Sequence, residues 1–461
     1  MTFTAAAIAR IVSGRLQGSP EASCTGFWTD SRGIRPGEAF IALVSETGDG
    51  HHYVPDLLRG GTPIAVVSRP VNPDQLPAGA AAVVVEESWE ALAAIASEIR
   101  GSLPVTVAAI TGTNGKTGVK ELTARLLNPA TSCRTERNYN NLLGIAWTLF
   151  RLPSGCKTLV AEIGMNHRGE IDRLARILSP ILGVITAARP VHLEHLGSLR
   201  EVAEAKAELI PHLPPEGTLV ANGDDPRVRS ITGRASCPVV FCGTGPGCDV
   251  TPRNLALAPD GRWSFGLDEL PGATLTTPLP GRFWVVNSLL AFAAARSLGV
   301  SAGEILSRWP SALPLEHRLS IRPLADGTLL IDDAYNASPA SVREAVTLLG
   351  DLPLSRRYAL LGGMAELGEP GEAIHRHLGT WIARKSDVTV VGVGPLGALI
   401  GRSAAEAAPG RGFDFATIDE AVGFLRGVAG PGVGILVKGS RETRMERAVD
   451  ALSLATTEGR G

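Results

Sequence analysis

The sequence predicts an α/β protein of three domains: a small N-terminal α/β unit, a central parallel sheet with a phosphate-binding loop, and a C-terminal nucleotide-fold-like sheet. Three observations carry this. The chain has 461 residues, and at about 150 residues per domain that is about three domains. Short apolar strands alternate with helical patterns along most of it, as in parallel sheets joined by crossover helices. A Gly-rich loop stands between one such strand and the next helix.

Taken in order, the opening MTFTAAAIARIVSGRLQG reads as a short amphipathic helix stopped by Gly18. It lacks the basic segment and apolar block of a secretion signal. The strands IAVVS (64–68) and AAVVV (81–85) follow among Gly/Pro turns. VTVAAITG (105–112) reads as a buried strand, and TLVAEIG, ILGVITA and GTLVANG continue the alternation. A Gly/Pro/Asp-rich stretch over 243–281 predicts a meander or loop insertion, and VVNSLLAFAAARSLG a helix ended by Gly299. RWPSALPLEHR (308–318) is a Pro-rich junction. GTLLIDDAYN, RYALLGG, DVTVVGVG and VGILVKG then supply four strands of a second sheet. The domains are accordingly 1–103, 104–313 and 314–461.

Composition narrows the function. With 44% hydrophobic and 20% charged residues the chain is neither disordered nor a coiled coil. A formal charge of −2 is too even for electrostatic capture of nucleic acid or anionic lipid. No apolar run approaches the ~18 residues of a membrane span, so a cytoplasmic location is expected. The cysteines Cys24, Cys133, Cys156, Cys237, Cys242 and Cys248 lack zinc spacing and are expected to be reduced packing residues. Lysine occurs only at 116, 120, 157, 206, 385 and 438, against 38 arginines. In a chain so biased, each lysine is a candidate for a place that requires an amine.

The sharpest motif is Thr111-Gly112-Thr113-Asn114-Gly115-Lys116-Thr117. Strand, glycines and helix start together cradle phosphate: glycines turn backbone N–H groups inward and the helix terminus adds positive potential. Lys116 then reaches the β/γ-oxygens and Thr117 offers a hydroxyl to Mg²⁺. The bland alternative, a Gly-rich turn before an ordinary helix, does not explain the G-K-T. Gly392-Val393-Gly394-Pro395-Leu396-Gly397 also matches a dinucleotide fingerprint. Pro395 and the lack of a clear acid about 20 residues on make it a tight strand–helix turn instead.

Glu162 ends the strand TLVAE, where a carboxylate points into the ligand crevice of a parallel sheet. His192 follows the next strand at an equivalent loop position, and the two together suggest metal ligands. The helix SLREVAEAKAELIPHL (198–213) places Lys206 among Val202, Ala203, Leu209 and Ile210, with Glu201, Glu204 and Glu208 off that stripe. A desolvated amine there loses its proton more readily and can take up CO₂ as a carbamate, an anionic ligand for a second Mg²⁺.

The ordered set T-G-T-N-G-K-T, E-I-G-M-N-H-R-G-E-I, H-L-E-H-L-G-S, A-K-A-E-L, A-N-G-D-D-P, L-I-D-D-A-Y-N-A-S-P and V-K-G-S-R resembles the Mur ligases. The likeness extends over nearly the whole chain, including TDSRGIRPGEAFIAL (29–43) and GDGHHYV (48–54). It implies an N-terminal UDP-sugar-binding domain, a central P-loop ATPase and a C-terminal Rossmann-like domain. It further implies an ATP-dependent amide ligase that adds D-Ala-D-Ala to UDP-N-acetylmuramoyl-tripeptide through an acyl phosphate, in peptidoglycan precursor synthesis, and that acts as a monomer. By the same resemblance Ser31 and Arg32 contact the uridine diphosphate, and Asn138 and Asn141 lie on the substrate side. Thr117, Glu162, His192 and carbamylated Lys206 serve magnesium. Asn287, Arg318, Asp333 and Asn336 contact the nucleotide, while Lys438, Ser440 and Arg441 face the reacting carboxylate or amine.

Several positions depart from that pattern. Gly118 stands where a second hydroxyl residue is common, and Ala188-Arg189 replace Asn-Gly. Phe283-Trp284 replace His-Asn near the adenine, which suggests stacking on the base. Gly363 replaces Asp, and Glu442-Thr443 replace Gly-Met. Asp224-Asp225-Pro226-Arg227 is similar to a signature of the diaminopimelate-adding relative but is misplaced, and reads as a loop. Two alternatives follow: a Mur-like ligase for another acid and amine, and a nucleotide-binding scaffold without turnover.

Overall fold

The computed structural model describes residues 1–46, 48–189 and 198–454. The chain divides into two compact units, one of residues 1–109, 129–165 and 170–180, the other of 110–128, 166–169 and the residues from 181 on.

In the first unit five strands are ordered Arg15–Gly18, Ala81–Val84, Ile64–Val67, Glu38–Ile41, Gly26–Trp28. The first pairs antiparallel and the others parallel. Ile64–Val67 is buried along its length, as an inner parallel strand must be. The expected helix to Gly18 is corrected here: it spans Ala5–Ile11 only, and Arg15–Gly18 is a strand. Gly14 makes the switch, because a Cβ there would lie 2.7 Å from Val83 Cγ1 and 3.0 Å from the Val84 carbonyl oxygen. The same unit holds the parallel pair Ser132–Arg134 and Thr158–Glu162.

In the second unit Leu182–Ile185, Thr218–Asn222 and Val239–Cys242 are successive parallel neighbours. The expected meander is a three-stranded antiparallel sheet, Arg253–Leu257, Trp263–Gly266 and Leu275–Thr276. The helix after it, Phe283–Ser297, is buried nearly all round and ends before Gly299 in the left-handed region. The helix expected over 198–213 is regular over Leu199–Ala207 and gives way to a 3₁₀ turn, Ile210–His212, at Pro211.

The last sheet has six strands, ordered Ser320–Pro323, Leu329–Asp333, Val433–Lys438, Arg356–Leu361, Thr389–Val393, Gly412–Phe415. The inner four match the sequence expectation. The two edge strands are half exposed and carry no apolar run to betray them. The G-x-G-x-x-G segment is the tight strand–helix turn expected, and its glycines serve packing. A Cβ on Gly392 would meet the Gly397 oxygen at 2.1 Å, on Gly397 the Leu361 oxygen at 2.5 Å, and on Gly401 the Phe413 oxygen at 2.1 Å. Helix Gly394–Ala407 therefore lies directly on the sheet backbone.

This contact gives a paired prediction. Gly401→Ala forces helix and strand apart and should cost about 1–3 kcal/mol of stability. Gly423→Ala, in the helix Ile418–Val428 with nothing within 4 Å of its Cβ, should be neutral or gain up to about 1 kcal/mol. Denaturant or thermal unfolding of the two variants reads the difference.

Candidate functional site

The strand Thr106–Thr111 leads into the glycine loop, and the helix Lys116–Leu126 leaves it. Gly112 and Gly115 have φ of 145° and 85°, conformations that L side chains rarely adopt. Space excludes side chains as well. A Cβ on Gly112 would lie 2.0 Å from Thr186 Oγ1, and one on Gly115 2.6 Å from Asn287 Oδ1. The loop is tied to the neighbouring strand end: Thr186 N–H donates to the Thr111 oxygen (2.9 Å) and Thr113 N–H to the Ala187 oxygen (2.9 Å). Lys116 Nζ donates to the Gly112 carbonyl at 2.8 Å, which holds the ammonium over the loop. Thr117 opens the helix, half-buried, beside it.

Asn287, expected to contact nucleotide, is brought to this loop by the helix Phe283–Ser297. Its Nδ2 and that of Asn114 are buried donors without a hydrogen-bond partner, as is the Thr111 hydroxyl. Buried donors of this kind call for an acceptor. The expected aromatic stacking on the adenine is not what Trp284 does. Its ring is 3% exposed and fills the place of a Gly118 side chain, with Cη2 2.7 Å from where that Cβ would stand. Phe283 packs against the core of the last sheet.

Lys206 is 1% exposed on the helix Leu199–Ala207, among buried Val202, Ala203, Leu209 and Ile210. The acids do lie off this stripe, where Glu201 pairs with Arg168 and Glu204 with Arg234. Asp225, expected in a loop, caps the helix Pro226–Thr232 and accepts from Ala188 N–H at 2.9 Å.

A second cluster forms at the carboxyl ends of the last sheet. Lys438 and Asp333 end adjacent parallel strands in register, and Lys438 Nζ is 2.5 Å from Asp333 Oδ2 and 2.8 Å from the Asn336 carbonyl oxygen. Burial pushes the Asp333 carboxyl above its ordinary pKa, against the pull of Lys438. Arg318 lies 4.0 Å over the Tyr335 ring and Arg441 5.6 Å from it. Ser440 N–H donates to the Gly363 oxygen at 3.0 Å. The turn bearing Gly363 is held by the buried His375, whose Nε2 accepts from Met364 N–H at 2.9 Å while Nδ1 faces the Gly371 oxygen at 2.6 Å. Tyr335 lies inside the motif L-I-D-D-A-Y-N-A-S-P but was not singled out there, and His375 carries no motif signature.

In the first unit half-buried Ser31 and exposed Arg32 stand in a turn after the strand Gly26–Trp28, with the Arg32 guanidinium on Asp30 (2.7 Å). Asn138 is exposed, and Asn141 caps the helix Leu142–Phe150 by accepting from Gly144 N–H. Glu162 is buried at its strand end. Its Oε1 accepts from Asn140 Nδ2 at 2.9 Å and its N–H donates to Thr135 Oγ1 at 3.0 Å. Asn140, passed over between two asparagines that were chosen, is thus the one that orients the acid. His192 lies outside the described residues. Among the described residues no three His, Cys, Asp or Glu side chains form a metal-binding group, and all six cysteines are free. No helix there is long and apolar enough to cross a membrane.

The chain also resembles known proteins along most of its length. Residues 24–100 match the pattern described as Mur ligase family, catalytic domain, 110–295 the Mur ligase middle domain, and 317–441 the Mur ligase, glutamate ligase domain. The UDP-N-acetylmuramoyl-tripeptide–D-alanyl-D-alanine ligase of Escherichia coli (strain K12) is 32% identical over 98% of each chain. A crystal structure of MurF from Acinetobacter baumannii superposes with a TM-score of 0.89 at 30% identity, covering 98% of this chain and 99% of that one. The MurF ligase of Thermotoga maritima in complex with ADP gives 0.81 at 26% identity, over 94% and 98%.

His375 supplies a pH prediction. Burial lowers its pKa below the ordinary 6.5, so the unfolded chain binds the proton more readily. The stability it contributes is complete above about pH 6.5 and is lost as pH falls toward the lowered value, by up to about 1.4 kcal/mol per unit. In His375→Gln this part of the acid slope should flatten, read by denaturant unfolding between pH 5 and 8.

Proposed function

The chain belongs to the Mur ligase family, and on that footing we propose that it is the ADP-forming ligase that joins D-alanyl-D-alanine to UDP-N-acetylmuramoyl-tripeptide. The observation that carries this is the lysine-bearing glycine loop, with its unpartnered buried Asn287 and Asn114 amides. Those donors and the side-chain-free cradle at Gly112 and Gly115 fit a triphosphate. The three matched segments fall within domains of 1–103, 104–313 and 314–461. We place the enzyme in the cytoplasm, as a monomer, with its UDP-linked substrate.

In the reaction the terminal carboxylate of the tripeptide attacks the γ-phosphorus of ATP in line, and the bond to the β-phosphate oxygen breaks to release ADP. The amine of D-alanyl-D-alanine then attacks the acyl carbon, inorganic phosphate leaves and the amine sheds a proton. Both first partners are anionic, so the first requirement is charge neutralisation, which Lys116 supplies from the loop. Asn287, Arg318, Asp333 and Asn336 are assigned to the nucleotide. Ser31 and Arg32 are assigned to the uridine diphosphate, and Asn138 and Asn141 to the substrate side. Lys438, Ser440 and Arg441 face the reacting carboxylate and the incoming amine. Excluding water protects the acyl phosphate from hydrolysis.

Magnesium is assigned to Thr117, Glu162, His192 and Lys206 as its carbamate, and when bound it would neutralise phosphate charge. Oxygen donors suit a hard cation, and Lys206 is buried on its helix beside Val202, Ala203, Leu209 and Ile210.

Phosphate release with UDP-N-acetylmuramoyl-tripeptide, omitting and then restoring D-alanyl-D-alanine, tests the reading: turnover should require the dipeptide. Lys116→Ala should abolish it while the fold is kept, and an active variant would refute the loop assignment. Lys206→Ala should need roughly tenfold more Mg²⁺ for half-maximal rate; unchanged Mg²⁺ saturation would remove the carbamate.

A further inference from the structure

Two clusters lie in the second unit, one at the glycine loop and one around Lys438, and two charged side chains that neither the motifs nor the reaction use connect them. Arg189 follows the strand Leu182–Ile185. Its backbone N–H donates to Thr113 Oγ1 in the loop at 3.0 Å. Its guanidinium Nη1 lies 2.8 Å from Glu344 Oε1. Glu344 stands on the helix Pro339–Asp351, which starts just beyond Asn336.

Glu344 is half-buried, and burial raises the pKa of its carboxyl. Arg189 and then Lys438 pull it back down, while Asp333 pushes it up. The same helix follows directly on Asn336, whose carbonyl oxygen accepts from Lys438 Nζ at 2.8 Å. The chain of contacts runs from Thr113 through Arg189 to Glu344, and from the start of that helix to the lysine at the strand end.

We propose that Arg189 and Glu344 form a positioning latch that couples nucleotide in the glycine loop to the placement of Lys438. The proposal rests on the ligase reading above. Nucleotide that seats against the loop fixes Thr113, Thr113 fixes the Arg189 backbone, and the planar guanidinium carries that placement to the helix bearing Glu344. Coupling of this kind is reciprocal: a latch that favours the loaded loop makes the loaded loop favour the latch. Neither residue touches a reacting atom, so both act through others.

The test is a double-variant cycle of Arg189→Ala, Glu344→Ala and the pair together, with Arg189→Lys as the conservative variant. ADP affinity is measured by calorimetry, melting temperature with and without ADP, and kcat and KM by phosphate release. Each single change should weaken ADP about fivefold and lower kcat more than it raises KM for D-alanyl-D-alanine. The double variant should be no worse than either single one, and Arg189→Lys should recover part of the loss. The nucleotide-free melting temperature should move little. Additive losses, or a lowered nucleotide-free melting temperature with unchanged ADP affinity, would overturn the latch and leave a structural ion pair. Wild-type protein that binds ADP yet releases no phosphate with both substrates would overturn the ligase reading instead, while the ADP-affinity cycle still decides the latch.

Discussion

The loop backbone at Gly112 is pressed against the segment that follows the next strand, so closely that a Cβ would stand 2.0 Å from Thr186 Oγ1. Much else in the second unit follows from that contact. The Thr186 hydroxyl lies 2.5 Å from the Asn114 oxygen, and Asn222 Nδ2 donates to the Thr186 oxygen at 2.8 Å. Asp225 holds the Ala188 N–H from the strand beyond. The loop is therefore held by its neighbours, with the Asn114 and Asn287 amides buried and unpartnered beside it. Preorganisation of this kind lets an anion be bound without the entropy loss of ordering the backbone.

The same crowding explains why departures from the family pattern come in pairs. Gly118 lacks the hydroxyl often found there, and Trp284 replaces a polar residue, yet each makes room for the other. A side chain at 118 would strike the indole, and a small residue at 284 would leave a void at the loop helix. The aromatic residue that sequence reasoning assigned to the adenine is thus a packing element.

What could be read from the sequence was whatever left a periodic or chemical trace. Inner strands such as Ile64–Val67 and Val433–Lys438 are apolar throughout because both faces are covered. Edge strands Ser320–Pro323 and Gly412–Phe415 are half wet and have no such trace. Lys206 could be found because helical spacing alone sets it among Val202, Ala203, Leu209 and Ile210. Asn140, Tyr335, Glu344 and His375 could not, since each matters through a partner distant in the chain or hidden among similar neighbours. The N-terminal segment was misread for a related reason. Gly14 ends the helix by its approach to Val83, nearly 70 residues away along the chain.

Two Gly-rich strand–helix turns in this chain show why the residue type alone does not define a site. At 392–397 the glycines let a helix touch a sheet, and the atoms they avoid are main-chain oxygens of Gly397 and Leu361. Main-chain oxygens repel phosphate, and a helix already occupies the space. At 112–115 the atoms the glycines avoid most closely are the Thr186 hydroxyl and the Asn287 amide oxygen, both on side chains. There the helix begins at Lys116, and buried donors remain without acceptors. One turn is closed by packing and the other keeps unpartnered buried donors, so the two similar strings of glycine differ in what surrounds them. The distinction is one of neighbours' chemistry, which a spacing pattern does not encode.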